Sequence, residues 1–168
     1  MKSFVCGTIA VGCLLFACPE SRADEAQDFH DYYSYFQATW IFEFDDGTES
    51  VVVCSDRTTY NLVQVSGQYT EMWGYDPVQK MWTGYGFGNA GRWEFRFPRP
   101  TGEAIEAATK WDFDGTTWLA NGTKIVSKQT FTCIDADHFE VRGTRQTEGG
   151  EQLSKFGIRA RRITSRMN

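Results

Sequence analysis

The sequence predicts an all-β protein, an antiparallel up-and-down barrel of roughly 8–10 strands with one N-terminal helix. The first observation is that apolar residues recur with a period of two from Trp40 onward, as at Phe42 and Phe44. The second is that turn signals such as Asp46-Gly47 divide the chain at intervals of about 8 to 12 residues. No helical pattern separates the strand patterns. Neighbouring strands are therefore expected to pair in sequence, and closure into a barrel leaves no unpaired edge.

The first 23 residues are typical of an export signal. An apolar run over residues 4–17 is followed by Ser21-Arg22-Ala23, which has small residues at the two positions that signal peptidase reads. We expect cleavage after Ala23, a single mature domain over residues 24–168, and a periplasmic or secreted location. The apolar run is shorter than the roughly 20 residues that a membrane-spanning helix needs.

The same segment offers an alternative in which the protein is lipid-anchored. Leu15-Phe16-Ala17-Cys18 is similar to a lipobox, with Cys18 as the acylated residue. Phe16 fits that pattern poorly, so the cleaved signal is the favoured interpretation. In both cases the chain leaves the cytoplasm.

The charge balance argues against nucleic acid as a partner. The chain has 17 basic and 22 acidic residues, a formal net charge of −5, whereas phosphate binding needs a basic face. The basic run Arg159-Ala160-Arg161-Arg162 lies on the last strand pattern, where we interpret it as a solvated strand end. The oligomeric state is left open.

The helix is predicted from aromatic residues spaced three and four apart. These are Phe29, Tyr32, Tyr33 and Phe36. The segment from Asp24 to Phe36 therefore forms an amphipathic helix whose acidic first turn suits the helix dipole. We expect it to close one end of the barrel.

The strands follow one another with tight turns between them. The turn signals include Asp76-Pro77, Asp114-Gly115 and Asn121-Gly122. After the first strand at Trp40, the predicted strands are Val51–Cys54, Tyr60–Val65, Tyr69–Tyr75, Met81–Phe87, Trp93–Phe97, Ala108–Phe113, Trp118–Ala120, Lys124–Ile134, His138–Gln146 and Gln152–Ile163.

Two cysteines remain outside the predicted signal, Cys54 and Cys133. An even pair in an oxidising compartment predicts a structural disulfide. Both lie inside strand patterns and not in a C-x-x-C redox motif, so two separate buried thiols remain the alternative.

Short motifs add a resemblance to known barrels. Tyr35–Trp40, a helix end that leads into a Trp on the first strand, resembles the start of lipocalin-like and other calycin barrels, although Ala38 stands where those usually have Gly. Trp73–Pro77, Trp111–Thr116 and Ile134–Glu140 resemble the G-x-D-P hairpin, the W-x-x-D-G turn and the D-x-D strand entry of a bacterial domain-of-unknown-function family with that fold. The resemblance implies a calycin-like barrel and an exported or lipid-anchored protein, and it supplies no catalytic residue.

The density of aromatic residues predicts an interior ligand site. In the hairpin from Glu71 to Gly88, alternation places Tyr85 and its bulky neighbours on one face and Trp82 with three glycines on the other. We expect the bulky face to point inward. The same aromatics would also suit a filled core. The predicted ligand-binding residues are Trp40, Tyr75, Thr83, Tyr85, Trp93 and Trp111.

Catalytic chemistry has little support in the sequence. It contains no G-x-S-x-G elbow and no H-E-x-x-H helix, and its acid pairs occupy turns, where Asp bonds the local backbone. His30 and His138 have no context that favours haem or a metal. We assign no catalytic residue, metal or cofactor, and leave open whether the protein is an enzyme.

Three hypotheses about function follow. The first is an exported calycin-like barrel that binds a small, partly apolar molecule. The second is an enzyme on a small hydrophobic compound in an α+β cone of the nuclear-transport-factor type, with Asp112 or His138 transferring protons. The third is a solid barrel with a structural or interaction role.

Overall fold

The computed structural model describes residues 21–58, 61–89, 91–99 and 102–163, so most of the predicted export signal lies outside the described residues. One helix is followed by ten strands, each antiparallel to the next along the chain. The last strand pairs with the first, Trp40 opposite Arg162, and this pairing closes the sheet. The predicted fold class is confirmed: an antiparallel up-and-down barrel with one N-terminal helix.

The elements are named here in chain order. They are α1 (Ser21–Tyr33), a 3-10 turn (Ser34–Phe36), β1 (Ala38–Phe44), β2 (Glu49–Thr58), β3 (Asn61–Val65), β4 (Tyr69–Asp76), β5 (Met81–Gly88), β6 (Gly91–Phe97), β7 (Lys110–Leu119), β8 (Lys124–Cys133), β9 (His138–Thr147) and β10 (Gln152–Arg162).

The helix plugs one end of the barrel, as predicted. Tyr33 is fully buried, and its ring lies 5.4 Å from that of Trp82 and 5.8 Å from that of Trp111, centroid to centroid. Its hydroxyl donates a hydrogen bond to the carbonyl of Pro98 at 2.9 Å, which satisfies the one polar atom that the ring carries into the core. We call this the plugged end.

The passage from helix to first strand is held by one buried tryptophan. The Trp40 indole donates to the Phe36 carbonyl at 2.8 Å, so the end of the 3-10 turn is satisfied by a side chain. The Arg162 guanidinium lies 4.7 Å from the Trp40 ring centroid and donates to the Tyr35 carbonyl at 2.8 Å. The first and last strands are thereby tied to the plug.

Two predicted hairpin turns are confirmed by their backbone. Gly47 has φ +80° and Gly122 has φ +85°, a left-handed conformation that glycine adopts without strain. Each glycine donates its N–H to a carbonyl three residues back, at Phe44 and Leu119, at 2.9 Å. Both turns lie at the end of the barrel away from the plug.

The predicted turn at Asp114-Gly115 is wrong, because β7 runs without a break through these residues. A Cβ on Gly115 would lie 2.7 Å from the ring of Phe95. Glycine here makes room for an aromatic ring on the neighbouring strand and does not turn the chain. The two strands predicted on either side are one strand.

The orientation predicted for β5 is also wrong. Trp82 points inward and is fully buried, whereas Tyr85 is 50% exposed and Phe87 is 67% exposed on the outer surface. The register of β5 with β4 and β6 shows no bulge that would exchange the faces. The glycine face is the inner one, since a Cβ on Gly86 would lie 2.2 Å from the indole of Trp93.

The predicted disulfide is not formed, since Cys54 and Cys133 are free, buried thiols. The two lie on β2 and β8, four strands apart around the ring. Burial raises the pKa of the Cys54 thiol to about 12, and the Cys133 thiol donates to the Asp135 carbonyl at 3.2 Å. The arrangement matches the alternative of two separate thiols.

We expect Gly86→Ala to lower the free energy of unfolding by about 1–3 kcal/mol, because the added methyl group would displace the Trp93 indole. Gly67→Ala is the matched control, since a Cβ at Gly67 has open space around it, and it should change stability by less than about 0.5 kcal/mol. Urea denaturation followed by circular dichroism measures both. Equal effects would contradict the assigned packing of Gly86.

Candidate functional site: the barrel cavity

The interior of the barrel is filled near the plug and hollow beyond it. The hollow part has a volume of about 510 Å³. Most of its wall is aromatic, with aliphatic residues and a few polar groups between the rings. The aromatic lining residues are Phe36, Phe42, Phe44, Tyr69, Trp73, Trp93, Phe95, Phe97, Trp111, Phe113, Phe131 and Phe139.

The floor of the cavity is the inner surface of the plug. Phe36 lies there against Phe131 and Phe139, with ring centroids 5.4 Å away in both cases. Trp111 stacks on Phe131 with centroids 3.8 Å apart. These contacts form an aromatic base, so a molecule in the cavity meets rings at that end.

The mouth lies at the opposite end of the barrel. The cavity wall there reaches Gln68 in the β3–β4 turn, Leu119 at the end of β7 and Phe44 at the end of β1. Leu119 and Phe44 are only partly buried. The cavity therefore runs from the plug toward the turns at the unplugged end.

A buried carboxyl group, that of Glu71, projects into this apolar space. Glu71 is only 4% exposed. Its two oxygens accept hydrogen bonds from the indole N–H groups of Trp73 and Trp93, the latter at 2.5 Å. Burial raises the pKa of this carboxyl above its ordinary value, against the opposing effect of the two indole donors.

The register of three strands explains how this arrangement forms. Glu71 on β4 lies opposite Gly86 on β5, and Gly86 lies opposite Trp93 on β6. Because Gly86 has no side chain, the Trp93 indole lies over it and reaches the carboxyl group. The glycine in the middle strand thus permits a hydrogen bond between residues that are two strands apart.

A second polar pair lies on β8. Gln129 donates through its side-chain amide to the hydroxyl of Ser127 at 2.9 Å, and both residues are buried. Gln129 belongs to the cavity wall. Its amide oxygen has no hydrogen-bond donor among the described side chains, and this oxygen can accept one from a guest.

A guanidinium group, that of Arg145, completes the set of polar groups in the wall. It lies on β9, five strands from β4 in either direction around the ring, so Arg145 and Glu71 occupy opposite walls. Its guanidinium carbon is 4.3 Å from the ring centroid of Phe156. Partial burial lowers the pKa of Arg145 from its ordinary value.

The predicted ligand residues divide into three groups. Trp93 and Trp111 line the cavity. Trp40 and Tyr75 belong to the plugged end: the Tyr75 ring lies 5.0 Å from that of Phe29 and its hydroxyl donates to Glu25. The other two, Thr83 and Tyr85, lie on the outward face of β5.

Sequence reasoning missed Glu71 and Arg145, although a signal for each was present. Glu71 has the same strand phase as Trp73, which makes it an acid on the inner face of β4. Arg145 shares the phase of Val141 on β9. The alternation of apolar residues along each strand identifies its inner face, and both charged residues lie on that face.

The two histidines and Asp112, which the sequence raised as candidates for chemistry, each have a hydrogen-bond partner outside the cavity. His30 bonds Asp56 through its Nε2 atom at 3.0 Å, and His138 bonds Asp135 at 2.9 Å. Asp112 accepts from Thr130 on the outer surface. Among the described residues there is no group of three or more His, Cys, Asp or Glu side chains that could hold a metal ion. None of their helices is long and apolar enough to cross a membrane.

Comparisons with known proteins identify distant structural neighbours. No protein-family model matches the sequence, and no curated protein matches it. The chain is similar to a de novo designed fluorescence-activating β-barrel, with 18% identity over 79% of this chain and 98% of that chain and a TM-score of 0.36. It is also similar to EF1p2_mFAP2b bound to DFHBI, with 11% identity over 80% and 98% of the chains and a TM-score of 0.36. Structural similarity at this TM-score does not support any inference about a ligand or an activity.

We expect Glu71→Gln to change how stability depends on pH. The pKa of Glu71 is raised in the folded protein above 4.5, so the acid costs stability increasingly as pH rises from that value through the folded-state pKa. The free energy of unfolding of the variant relative to wild type should therefore rise across this window and then level off. The substitution also lowers the free energy of unfolding by an amount that does not depend on pH, because one indole N–H loses its acceptor.

Urea denaturation at a series of pH values measures this difference. Glu106→Gln is the control, because Glu106 is an exposed residue outside the barrel wall, and its difference from wild type should show no such rise. A Glu71→Gln difference that is independent of pH would contradict the assigned burial of the carboxyl.

Proposed function

We propose that this protein binds a small, partly apolar molecule inside the barrel. The main support for the proposal is the size of the cavity, about 510 Å³. This volume lies within the range of about 300–1,000 Å³ that is typical of small-molecule sites. Its wall is aromatic, with a few polar groups at distinct positions. Such a wall favours apolar guests, and the polar groups select among them.

The two alternative functions fit the structure less well. A solid barrel would fill its interior with side chains, whereas here the half away from the plug is hollow. An α+β cone has an open sheet, whereas β1 and β10 pair and close this one. Asp112 and His138, the residues expected to transfer protons in that cone, are exposed and lie outside the cavity wall.

Binding is favoured over catalysis by how the buried polar groups are used. Both oxygens of Glu71 accept indole hydrogen bonds, and Ser127 and Gln129 bond each other. Groups held in this way orient a guest, and they do not form the nucleophile and base pair of a covalent mechanism.

We also propose that the protein is exported, as are members of the bacterial family that its short motifs resemble. The support is the apolar run followed by Ser21-Arg22-Ala23. Cleavage after Ala23 removes three residues from α1 and leaves Glu25, which accepts a hydrogen bond from Tyr75, in place.

The binding proposal is tested by filling the cavity from within. Thr117 lines it, whereas the adjacent Thr116 faces the other side of β7. Thr117→Trp should weaken the binding of Nile red, a neutral apolar dye, by about tenfold or more, because the indole occupies guest volume. Fluorescence titration measures the affinity.

Two controls accompany this titration. Thr116→Trp adds the same indole to the outer surface, and Tyr85→Ala removes an exposed ring from it. Both should bind the dye as wild type does, within about twofold. A wild type that takes up no dye, or equal losses in both Trp variants, would refute the cavity as the binding site.

The export proposal is tested by the intact mass of protein recovered from outside the cytoplasm. We expect the mass of a chain that begins at Asp24, because signal peptidase cuts after the second small residue. A mass that retains residues 1–23 would contradict it, and the mass of a diacylated chain beginning at Cys18 would favour the lipid-anchored alternative.

A further inference from the structure

We propose that the guest of the cavity carries an acidic group and that Arg145 binds this group at the cavity wall. The inference rests on the proposed function and deepens it, since it names the chemical class of the ligand. That class is an apolar, ring-sized molecule with a carboxylate or a similar anion at one end.

Arg145 lies in the cavity wall near the mouth. On β9 it has the same phase as Phe139 and Val141, so its side chain belongs to the inner surface. Phe139 packs against the plug, and Arg145 lies six residues farther along the strand, toward the mouth. An anion bound there would lie near solvent while its apolar body extended toward the aromatic floor.

The Arg145 guanidinium has no acidic partner in the part of the chain that the structure describes. Other arginines on β9 and β10 have acidic partners. Arg142 pairs with Glu140, Arg159 with Glu43 and Arg162 with Asp137. The residues opposite Arg145 on the neighbouring strands are serines, Ser127 and Ser154. Arg145 therefore carries an uncompensated positive charge at the wall of an apolar cavity.

The ring of Phe156 limits how the Arg145 guanidinium can be oriented. The guanidinium carbon lies 4.3 Å from the Phe156 ring centroid, and this contact restrains the plane of the guanidinium. Its N–H donors point outward from the edges of that plane, where a carboxylate can accept two of them side by side. The side chain is exposed at the mouth, so a carboxylate can reach these donors from solvent.

The other charged group of the wall does not oppose an anion at this place. Glu71 lies on the opposite wall, and each of its oxygens already accepts an indole hydrogen bond. Burial raises its pKa, which favours the neutral acid. A basic guest held at Glu71 is the competing arrangement, and the experiment distinguishes the two.

The test uses three guests that share one ring system and differ in charge. They are 2-naphthoate, 2-naphthamide and 2-naphthylmethylammonium, each titrated against Nile red bound to the wild-type protein at neutral pH. We expect naphthoate to displace the dye at a concentration about tenfold or more below that of the amide, because a charge-assisted contact exceeds a neutral one. The ammonium compound should be the weakest.

Arg145→Gln removes the charge and keeps a polar side chain. In this variant naphthoate should displace Nile red no better than naphthamide does, with both titrations referred to the dye affinity measured for the same variant. Arg142→Gln is the matched control three residues away, since Arg142 is paired with Glu140 on the outer surface. It should keep the full preference for naphthoate.

The outcomes separate this inference from the binding proposal. If Nile red binds in the cavity but naphthoate and naphthamide displace it equally in wild type, the acidic ligand is refuted and the binding site stands. Tighter binding of the ammonium compound would assign the charged end of the ligand to Glu71 instead. If Arg145→Gln does not fold, the wild-type comparison still decides. Failure of Nile red to bind at all would refute the proposed function itself.

Discussion

The packing of α1 and its 3-10 turn inside one end of the barrel is the constraint on which the rest of the structure depends. Tyr33 and Phe36 carry rings into the space between the strands, and Trp40 and Arg162 tie the helix end to the first and last strands. With this end occupied, the interior has a floor. A barrel of ten strands is wider than its own side chains can fill, and the plug fills only part of the length.

Glycines that lie opposite large rings then determine the shape of the cavity beyond the plug. Gly86 lies under Trp93, Gly115 under Phe95 and Gly143 under Phe156, each with too little room for a Cβ. A ring that lies across a neighbouring glycine is flat against the wall and not directed toward the barrel axis. The aromatic side chains therefore form a lining, and the centre stays empty. The same packing brings the Trp93 indole to Glu71, so the position of a polar group in the cavity also follows from a glycine.

The polar groups of the cavity divide it into regions of different chemistry. Glu71 is deeply buried, and its oxygens accept from two indoles. Arg145 on the opposite wall has a fixed ring contact and no acidic partner among the described residues. Its guanidinium is exposed toward the mouth, so its charge is accessible to an anionic group that enters from solvent. The barrel supplies the volume, and these two residues supply its polarity.

Much of this could be predicted from the sequence, because strand periodicity and turn residues are local signals. The period of two from Trp40, the turns at Gly47 and Gly122 and the aromatic spacing of α1 determined the barrel, its strand order and its plug.

The inward direction of β5 depended on tertiary structure. Three glycines looked like an outer face, yet rings from adjacent strands occupy the space above them. For the same reason Gly115 was mistaken for a turn, since a glycine that makes room for a ring has the same local signature as one that bends the chain. Whether Cys54 and Cys133 meet, and whether Trp93 and Arg145 surround a cavity or a filled core, depends on distances around a closed ring, which no local pattern encodes.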